Sequence, residues 1–327
     1  MKPRVLVLGA SGFVGRRILH ALATEGSFHP VAVSRAAKTA LAGCGYETQD
    51  ADASDVRRMT ELMDGAVAVV NCVAGSPSAI TGSAEAILTT VRNIPGVTRV
   101  VHLSSLAAYG SARGQVDESA ALLGDTGPYS AAKAMADRLI GEYEGTVILR
   151  PGIVIGPGSA WWSDRIGRLL RSHRLGDLGL QGRGICNWVF VDDVATAVLR
   201  ALTLEGAHLG AFNLGSPDPI TWNEYFEHYA EALGRSPVRR ISHRHVAFEM
   251  RLLGPPLKIL EYLLSSPRWA HWNPWPPIRP WLMEVCAHQI RMDVGRAQRK
   301  LDMAWTPLDE ALRITAKWFI DGGRTTL

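Results

Sequence analysis

Short apolar runs separated by longer mixed stretches set the pattern of the first half of the chain. These runs predict strands near residues 4–8, 30–34, 46–50, 66–72, 99–104 and 146–150. The run Ala66–Val70 is apolar at every position, which indicates a strand that helices cover on both faces. Helical stretches lie between the strands, so the pattern predicts an α/β fold with a doubly wound parallel sheet. In such sheets, ligands bind at the carboxyl ends of the strands.

A glycine-rich turn follows the first predicted strand. The run Val5–Leu8 leads into Gly9, Gly12 and Gly15. A strand that opens directly into a helix needs positive φ at Gly9, no side chain at Gly12 where the backbone meets a pyrophosphate, and close helix–strand contact at Gly15. The next helix, predicted from about Phe13 to Ala23, would aim its free N–H groups at the phosphates. A purely structural turn is the alternative, and the apolar strand before it weakens that alternative.

A tyrosine and a lysine lie four residues apart, at Tyr129 and Lys133, and hence on one face of a helix. A phenol with a pKa near 10 is a poor acid–base catalyst, but a nearby cation stabilises the phenolate and lowers that pKa. Ser104 and Ser105 end a predicted buried strand, where a ligand-facing group would lie. Ser105 could then hold a reacting oxygen while Tyr129 exchanges its proton. Tyr-x-x-x-Lys alone is common on solvated helices, so the context carries this interpretation.

In this order along the chain, these motifs resemble the extended short-chain dehydrogenase/reductases, and in particular the NAD-dependent epimerase/dehydratase family. The resemblance covers essentially the whole chain and implies a Rossmann fold. Besides the glycine turn and the Tyr–Lys pair, the matching pieces are Asp52-Ala53, Val73-Ala74-Gly75, Ser104-Ser105 with Tyr109-Gly110, Arg150-Pro151-Gly152 with Gly156-Pro157-Gly158, and Val191-Asp192-Asp193-Val194-Ala195.

The resemblance also implies roles for single residues. Ser105 and Tyr129 correspond to the serine and tyrosine that bind and protonate the carbonyl, and hydride passes at nicotinamide C4. Lys133 corresponds to the lysine that holds the nicotinamide ribose and tunes the tyrosine. The cofactor contacts that it implies besides Tyr129 and Lys133 are Gly9, Ser11, Gly12, Phe13, Val14, Gly15, Ser34, Arg35, Asp52, Ala53, Val73, Ala74, Gly75, Pro151 and Ile153. The expected substrate contacts are Ser105, Ala107, Tyr109 and Trp161.

The end of the second strand bears on the choice of cofactor. An acidic residue there favours NAD, and a cation favours the 2′-phosphate of NADP. Ser34 and Arg35 stand at this place with Lys38 nearby, so NADP is favoured by analogy with relatives that carry a basic residue. NAD stays open, because Arg35 could be a solvated loop residue or could stack on adenine. Asp52 resembles the family aspartate near the adenine amine, and a turn-forming or helix-capping residue is the alternative.

The tryptophans divide the chain into two regions. All ten follow residue 160, and four lie between Trp269 and Trp281 in a proline-rich segment. We predict a dinucleotide-binding Rossmann domain over residues 1–155, to which residues 187–216 return, and a mainly substrate-binding region over residues 156–327. The tryptophans either fasten a small domain by packing or line an apolar substrate pocket or lid.

Departures from the family pattern bear on the reaction. Leu106-Ala107 stand where dehydratases carry an Asp-Glu pair for elimination, which argues against dehydration. Cys186 or Asn187 replaces an arginine that grips the diphosphate in many nucleotide-sugar epimerases, although Arg183 could substitute. Ala79 and Ser83 stand where the family usually has the Asn and the Thr of an Asn-x-x-Gly-Thr helix start. This departure predicts a shortened helix beside the cofactor.

An apolar stretch from Leu252 to Leu264 suits a lipophilic substrate, though an amphipathic core helix explains it equally well. The leading hypothesis is an NADP-dependent reductase or dehydrogenase that acts on a ketone or alcohol of a small, fairly apolar metabolite, with Tyr129 as the acid–base group. A nucleotide-sugar epimerase with tightly bound NAD is the alternative. A non-catalytic dinucleotide-binding regulator is less favoured, because Ser105, Tyr129 and Lys133 are intact.

Composition limits the partners and the location. The net charge of +4 comes from scattered Lys and Arg, which favours anionic small ligands over nucleic acid. The four cysteines are far apart and form no CxxC pair, so neither a zinc site nor disulfides are expected. Capping of a helix explains Asp192-Asp193 better than a metal pair does. The chain has no signal-peptide pattern and no apolar segment of membrane-spanning length, so a cytoplasmic location is expected, and the resemblance allows a homodimer.

Overall fold

The structure is a computed structural model that describes residues 2–94, 96–206, 209–264 and 276–323. The strands in these ranges are β1 (Arg4–Leu8), β2 (His29–Ser34), β3 (Glu47–Asp50), β4 (Ala66–Asn71), β5 (Arg99–Leu103), β6 (Gly114–Val116), β7 (Thr146–Pro151), β8 (Ile153–Ile155), β9 (Ile185–Cys186), β10 (Trp188–Phe190), β11 (Gly210–Leu214), β12 (Ile220–Thr221) and β13 (Ile290–Met292). The helices are α1 (Phe13–Glu25), α2 (Ala37–Ala40), α3 (Val56–Met63), α4 (Pro77–Asn93), α5 (Pro128–Ile140), α6 (Arg165–Arg171), α7 (Val191–Thr203), α8 (Trp222–Ala232), α9 (His243–Phe248), α10 (Gly254–Leu264), α11 (Pro280–Ala287), α12 (Gly295–Lys300) and α13 (Leu308–Ile320).

Seven of these strands form one parallel sheet in the order β11-β7-β5-β4-β1-β2-β3. The six strands predicted from the apolar runs belong to it, and each observed end lies within one residue of the predicted end. The seventh, β11, comes from the segment that was predicted to return. Strand order reverses between β1 and β4, so the glycine turn after β1 lies at the point where doubly wound sheets bind ligands.

Both faces of the sheet are covered, as the strand β1 illustrates. Val5 and Val7 face a core that contains residues of α1 and α7. Leu6 and Leu8 face the opposite core, to which α3, α4 and α5 contribute. All four side chains are fully buried. A strand in this position has no polar face, which explains why continuous apolar runs predicted it.

Two helices differ from the prediction. The helix α1 extends to Glu25, two residues beyond the predicted end, and stops where Gly26 takes a φ of +83°. The prediction of a shortened helix near residues 79–83 was wrong, because α4 has 17 residues. Ser76 accepts a hydrogen bond from the backbone N–H of Ala79, and Pro77 occupies the first turn. This cap and proline start the helix without the residues that the family uses.

The part of the chain that follows β7 forms a second hydrophobic core. It gathers residues of α6, α8, α11 and α13, and Trp222 and Tyr225 are among its largest fully buried side chains. The Trp162 ring lies 5.5 Å from that of Trp222 and 5.4 Å from that of Trp281, measured between centroids. Packing therefore explains these tryptophans. Another three, Trp269, Trp272 and Trp275, lie outside the described residues. The division into domains stays a prediction.

The stretch from Leu252 to Leu264 is helical, and none of its described side chains, which end at Leu260, is buried. It covers the end of a π-helical turn, Glu249–Leu253, and the helix α10. Leu252, Ile259 and Leu260 are exposed. Among the described residues, none of the helices combines the length and apolar character that crossing a membrane requires.

Candidate active site

The glycine turn after β1 depends on side chains being absent at two positions. Gly9 has a φ of +75°, and a Cβ on it would lie 2.8 Å from the carbonyl oxygen of Cys72. A Cβ on Gly15 would lie 2.4 Å from the carbonyl oxygen of Gly9, so α1 could not pack this closely with any other residue there. At the first turn of α1, Gly12 provides no side-chain cap and no acidic residue follows it. The uncapped N–H groups suit an anion such as a pyrophosphate.

The end of β2 carries a polar group without a partner. The hydroxyl oxygen of Ser34 is buried and makes no hydrogen bond within the protein. Arg35 and Lys38 beside it are exposed, and the backbone N–H of Lys38 donates to Asp50. Because buried hydroxyls normally find partners, this one suits a ligand that supplies an acceptor or donor. The contacts of Ser34 and Arg35 with the adenosine end of a dinucleotide stay predictions.

Asp52 forms a turn. Its carboxylate accepts hydrogen bonds from the backbone N–H of Ser54 at 3.0 Å and from the Ser54 hydroxyl at 2.7 Å. These bonds, together with the charge of Arg35, hold the pKa of Asp52 below its usual value. The helix cap of α3 is Asp55, not Asp52. The adenine contact of Asp52 stays a prediction.

Val73 links the glycine turn to Lys133. A Cβ added to Gly9 would lie 3.1 Å from the Val73 nitrogen, so the glycine turn and the loop after β4 approach each other closely. The Lys133 ammonium donates to the carbonyl oxygen of Leu103 at 2.8 Å and approaches that of Val73 at 3.4 Å. The Val73 N–H donates in turn to Oδ1 of Asn71 at 3.0 Å.

Asn71 is a positioning residue that sequence reasoning missed. Its amide nitrogen lies 3.2 Å from Nδ1 of His102 and 3.2 Å from Oγ of Ser83, and its side chain is fully buried. These contacts fix the loop that contains Val73. The signal in the sequence was one polar residue at the end of the apolar run Ala66–Val70, which also suits an ordinary strand end.

Ser105 and Tyr129 are neighbours in the structure. Tyr129 follows Pro128 in the first turn of α5, close enough to Ser105 for the serine side chain to lower the pKa of the phenol. Oγ of Ser105 also accepts from the N–H of Ala107 at 3.1 Å. The Ser130 hydroxyl donates to the carbonyl oxygen of Ala107 at 2.7 Å and thereby ties α5 to the turn after β5. The structure thus brings the predicted serine and tyrosine together.

The pKa of Tyr129 is raised, and the prediction that Lys133 lowers it was wrong for the protein alone. Although 43% of the residue is exposed, desolvation of the phenol raises its pKa more than the neighbouring Ser105 side chain lowers it. The Lys133 ammonium is directed at the carbonyl oxygens of Leu103 and Val73 instead. Burial lowers the pKa of Lys133 itself to about 8.

The model of the NAD dependent epimerase/dehydratase family matches residues 5–215, which include all of these elements. The chain belongs to this family. It is accordingly an enzyme of the extended short-chain dehydrogenase/reductase type, and its fold is that of solved family structures. No curated relative matches the chain.

Three solved structures illustrate the shared fold. UDP-glucose 4-epimerase from Thermotoga maritima, solved with UDP-glucose, superposes with a TM-score of 0.71 at 17% identity over 97% of this chain and 99% of its own. The dTDP-glucose 4,6-dehydratase from Bacillus anthracis, in complex with NAD, gives 0.74 at 16% identity over 98% and 97%. UDP-glucuronic acid 4-epimerase from Bacillus cereus, with UDP-glucuronic acid and NAD, gives 0.73 at 16% identity over 97% and 99%.

In this member of the epimerase/dehydratase family, Tyr109 was predicted to contact the substrate, but the structure does not expose it to one. The residue is fully buried. Its hydroxyl donates to Oδ1 of Asn213 at 2.6 Å and accepts from Arg150 at 2.9 Å. Two nitrogens of Arg150 bind both carboxylate oxygens of Asp137, at 2.9 and 3.0 Å. Tyr109 therefore belongs to a polar network inside the protein.

Trp161 remains a candidate for substrate contact. It is 51% exposed, and its ring stands edge-on to that of Trp281 with 5.7 Å between centroids. The Arg165 guanidinium lies 5.3 Å from the centroid of the same ring. Both contacts fix the orientation of an exposed aromatic surface.

The remaining residues predicted to contact the cofactor or the substrate differ in their exposure. Gly12, Ala74 and Gly75 are exposed; Ser11, Phe13, Val14, Ala53, Val73 and Ala107 are half-buried; Pro151 and Ile153 are buried. A Cβ on Gly158 would touch the ring of Phe13 at 3.3 Å, so the loop after β8 lies against the start of α1. These cofactor and substrate contacts stay predictions.

Asp192 and Asp193 connect elements, and neither of them caps a helix. The helix α7 begins after Phe190, which provides no side-chain cap. Asp192 accepts from Arg17 of α1 at 2.6 Å. Asp193 accepts from the N–H and the hydroxyl of Thr306, at 3.1 and 2.7 Å. Across the described ranges, no group of three or more His, Cys, Asp or Glu residues could hold a metal.

Proposed function

We propose that the protein is an NADP-dependent reductase or dehydrogenase that interconverts a ketone and an alcohol on a small, fairly apolar metabolite. One observation carries the proposal. Ser105, Tyr129 and Lys133 lie together at the carboxyl end of β5, and Val73 connects them to the glycine turn. This arrangement supports a role for Tyr129 as proton donor to a substrate held at the ends of these strands.

The residues at the strand ends fit a nicotinamide dinucleotide. The turn from Gly9 to Gly15 and the uncapped start of α1 would hold the pyrophosphate. Ser34, with its unpartnered hydroxyl, and Arg35 would hold the adenosine end, and Lys133 the nicotinamide ribose. When bound, the cofactor supplies or accepts a hydride at nicotinamide C4.

The Tyr129 phenol carries a proton that it can donate to the oxygen of a carbonyl that becomes an alcohol. Desolvation raises the pKa of the phenol and makes it a weaker acid, so its contribution depends on its position next to the reacting oxygen. The Ser105 hydroxyl can donate to the same oxygen, since Ser105 lies near Tyr129. Ala107 holds the serine through its N–H, so the donor is fixed before substrate arrives.

The surroundings favour an apolar substrate. Leu106 and Ala107 lack the carboxylates that elimination needs. Asn187 stands near the position of the diphosphate-binding arginine, but it is buried, and its side chain binds the backbone of Ile290 and Met292. It therefore cannot grip a diphosphate. Trp161 offers an exposed aromatic surface, against which the Arg165 guanidinium lies.

A nucleotide-sugar epimerase with tightly bound NAD is the second candidate. The observation that favours it is the superposition on epimerases solved with UDP-glucose and with UDP-glucuronic acid and NAD. Such an enzyme oxidises and re-reduces its substrate, so it consumes no net cofactor. The two candidates consequently differ in a simple assay.

The deciding experiment measures the dinucleotide that stays bound after purification and then the turnover. We expect little retained NAD, and oxidation of NADPH in the presence of a panel of apolar ketones. Retained NAD together with conversion of a UDP-sugar, without net change in NADPH, would replace this proposal with the epimerase. A bound dinucleotide with no turnover of either class would indicate a non-catalytic regulator.

Replacing Arg35 by Ala tests the choice of cofactor. We expect the dissociation constant of NADP to rise about tenfold and that of NAD to change little, because a guanidinium binds the 2′-phosphate by charge-assisted hydrogen bonds. Titration of both dinucleotides by intrinsic fluorescence gives the two constants. Arg57→Ala, on an α3 side chain that is 91% exposed, is the control. An equal loss for NAD and NADP would remove the argument for NADP.

A further inference from the structure

The helical run from His243 to Leu264 presents apolar side chains to solvent. It consists of α9, the π-helical turn Glu249–Leu253 and α10. Phe248 is 51% exposed, Leu252 61% and Ile259 62%. These three follow one another at spacings of four and seven residues, which places them along one side of a helix. We call them the apolar stripe.

Positive charge accompanies the apolar stripe. Arg244, Arg251 and Lys258 are exposed and recur every seven residues along the helical run. Residues 235–264 include six Lys and Arg and two acidic residues, Glu249 and Glu261. Of these acids, Glu249 is buried and paired with Arg174, so it offers no exposed negative charge. Among the other cations of this segment, Arg240 is paired with Asp177.

A buried arginine attaches the run to the protein core. Nε of Arg174 donates to the Glu249 carboxylate at 3.0 Å. Nη1 of the same side chain donates to the carbonyl oxygen of Pro276, outside the run, at 3.0 Å. Charge-assisted bonds in a buried setting are strong and directional. The apolar stripe is therefore presented from a fixed base.

We propose that the apolar stripe and its three cations dock the protein on the surface of an anionic lipid bilayer. Helices that lie in the membrane interface combine an apolar side with Lys and Arg, which place apolar groups among the acyl chains and cations against acidic headgroups. Among the described residues no helix is long and apolar enough to span a bilayer, so the run would lie parallel to the surface. A second copy of the chain fits less well, because a symmetric contact would bring like charges together.

Flotation with lipid vesicles tests the proposal independently of enzymatic activity. We expect the protein to float with vesicles of phosphatidylcholine that contain phosphatidylglycerol, to bind phosphatidylcholine alone weakly, and to dissociate as salt rises. Leu252→Glu with Ile259→Glu should lower the binding constant about tenfold or more. Arg251→Glu with Lys258→Glu should lower it about tenfold.

Matched variants separate the apolar stripe from general effects of surface charge. Ile320→Glu changes an isoleucine that is 60% exposed on α13, and Arg57→Glu with Lys300→Glu changes two cations elsewhere; both should bind vesicles like the unmodified protein. If the variant with Leu252→Glu and Ile259→Glu does not fold, as judged by its thermal melt, a variant with Leu252→Ser and Ile259→Ser replaces it.

Several results would overturn the membrane assignment. These are the absence of flotation with anionic vesicles, equal losses in the control variants, and binding that charge reversal leaves unchanged. Sedimentation without lipid tests a further such result. A dimer that the Leu252 and Ile259 substitutions convert to monomers would show that a second copy of the chain covers the apolar stripe.

Discussion

Replacing Tyr129 by Phe should lower kcat about 10²- to 10⁴-fold, the range that a positioned general acid contributes. The substitution removes one oxygen and keeps the ring, so the start of α5 and the contact of Ser130 with Ala107 should persist. The affinity for the dinucleotide should stay within about twofold, because the glycine turn and Lys133 carry that binding. Steady-state kinetics on the ketone identified by the turnover assay, with a separate dinucleotide titration, measures the two effects.

Tyr143→Phe is the matched control for this prediction. The Tyr143 hydroxyl donates to the carbonyl oxygen of Val97, beyond the far end of α5, so its loss should leave kcat near the unmodified value. A Tyr129→Phe variant that turns over at the normal rate would show that another group supplies the proton. A variant that also loses dinucleotide affinity would mean that Tyr129 acts in binding.

The sheet could be predicted from the sequence because burial on both faces leaves a local record. The run around β4 is apolar at every position, and helices on both sides explain why no polar position interrupts it. The glycine turn leaves a similar record, because Gly9 and Gly15 meet neighbouring backbone atoms that no side chain could approach. Signals of this kind depend on residues within one strand–turn–helix unit.

The contacts between distant segments could not be predicted in this way. Tyr109 stands four residues after Ser105 and was assigned to the substrate, yet its position is decided by Asn213 and Arg150, far along the chain. The spacing of Tyr129 and Lys133 predicted a shared helix face correctly, but it could not show that Leu103 and Val73 attract the ammonium. Both errors came from treating a polar residue near the site as one that faces it.

The polar network under the site has Asp137 and Arg150 at its centre. Their side chains are 2% and 6% exposed, and Arg150 also donates to Tyr109 and to the carbonyl oxygen of Glu118. The backbone N–H of Asn213 donates to the Glu118 side chain at 2.8 Å. Through these bonds, the network joins α5 to β7 and β11, so it supports the helix that carries Tyr129. Removing one charge from a buried pair leaves the other without compensation.

Asp137→Asn should therefore lower the free energy of unfolding by about 3–5 kcal/mol, because the Arg150 guanidinium stays buried without a counter-charge. Urea unfolding followed by circular dichroism measures the change. Glu142→Gln makes the same chemical change in an exposed pair with Arg92, whose side chains are 52% and 55% exposed, and should lower that free energy by less than about 1 kcal/mol. Equal effects of the two substitutions would show that the buried pair does not hold α5 against the sheet.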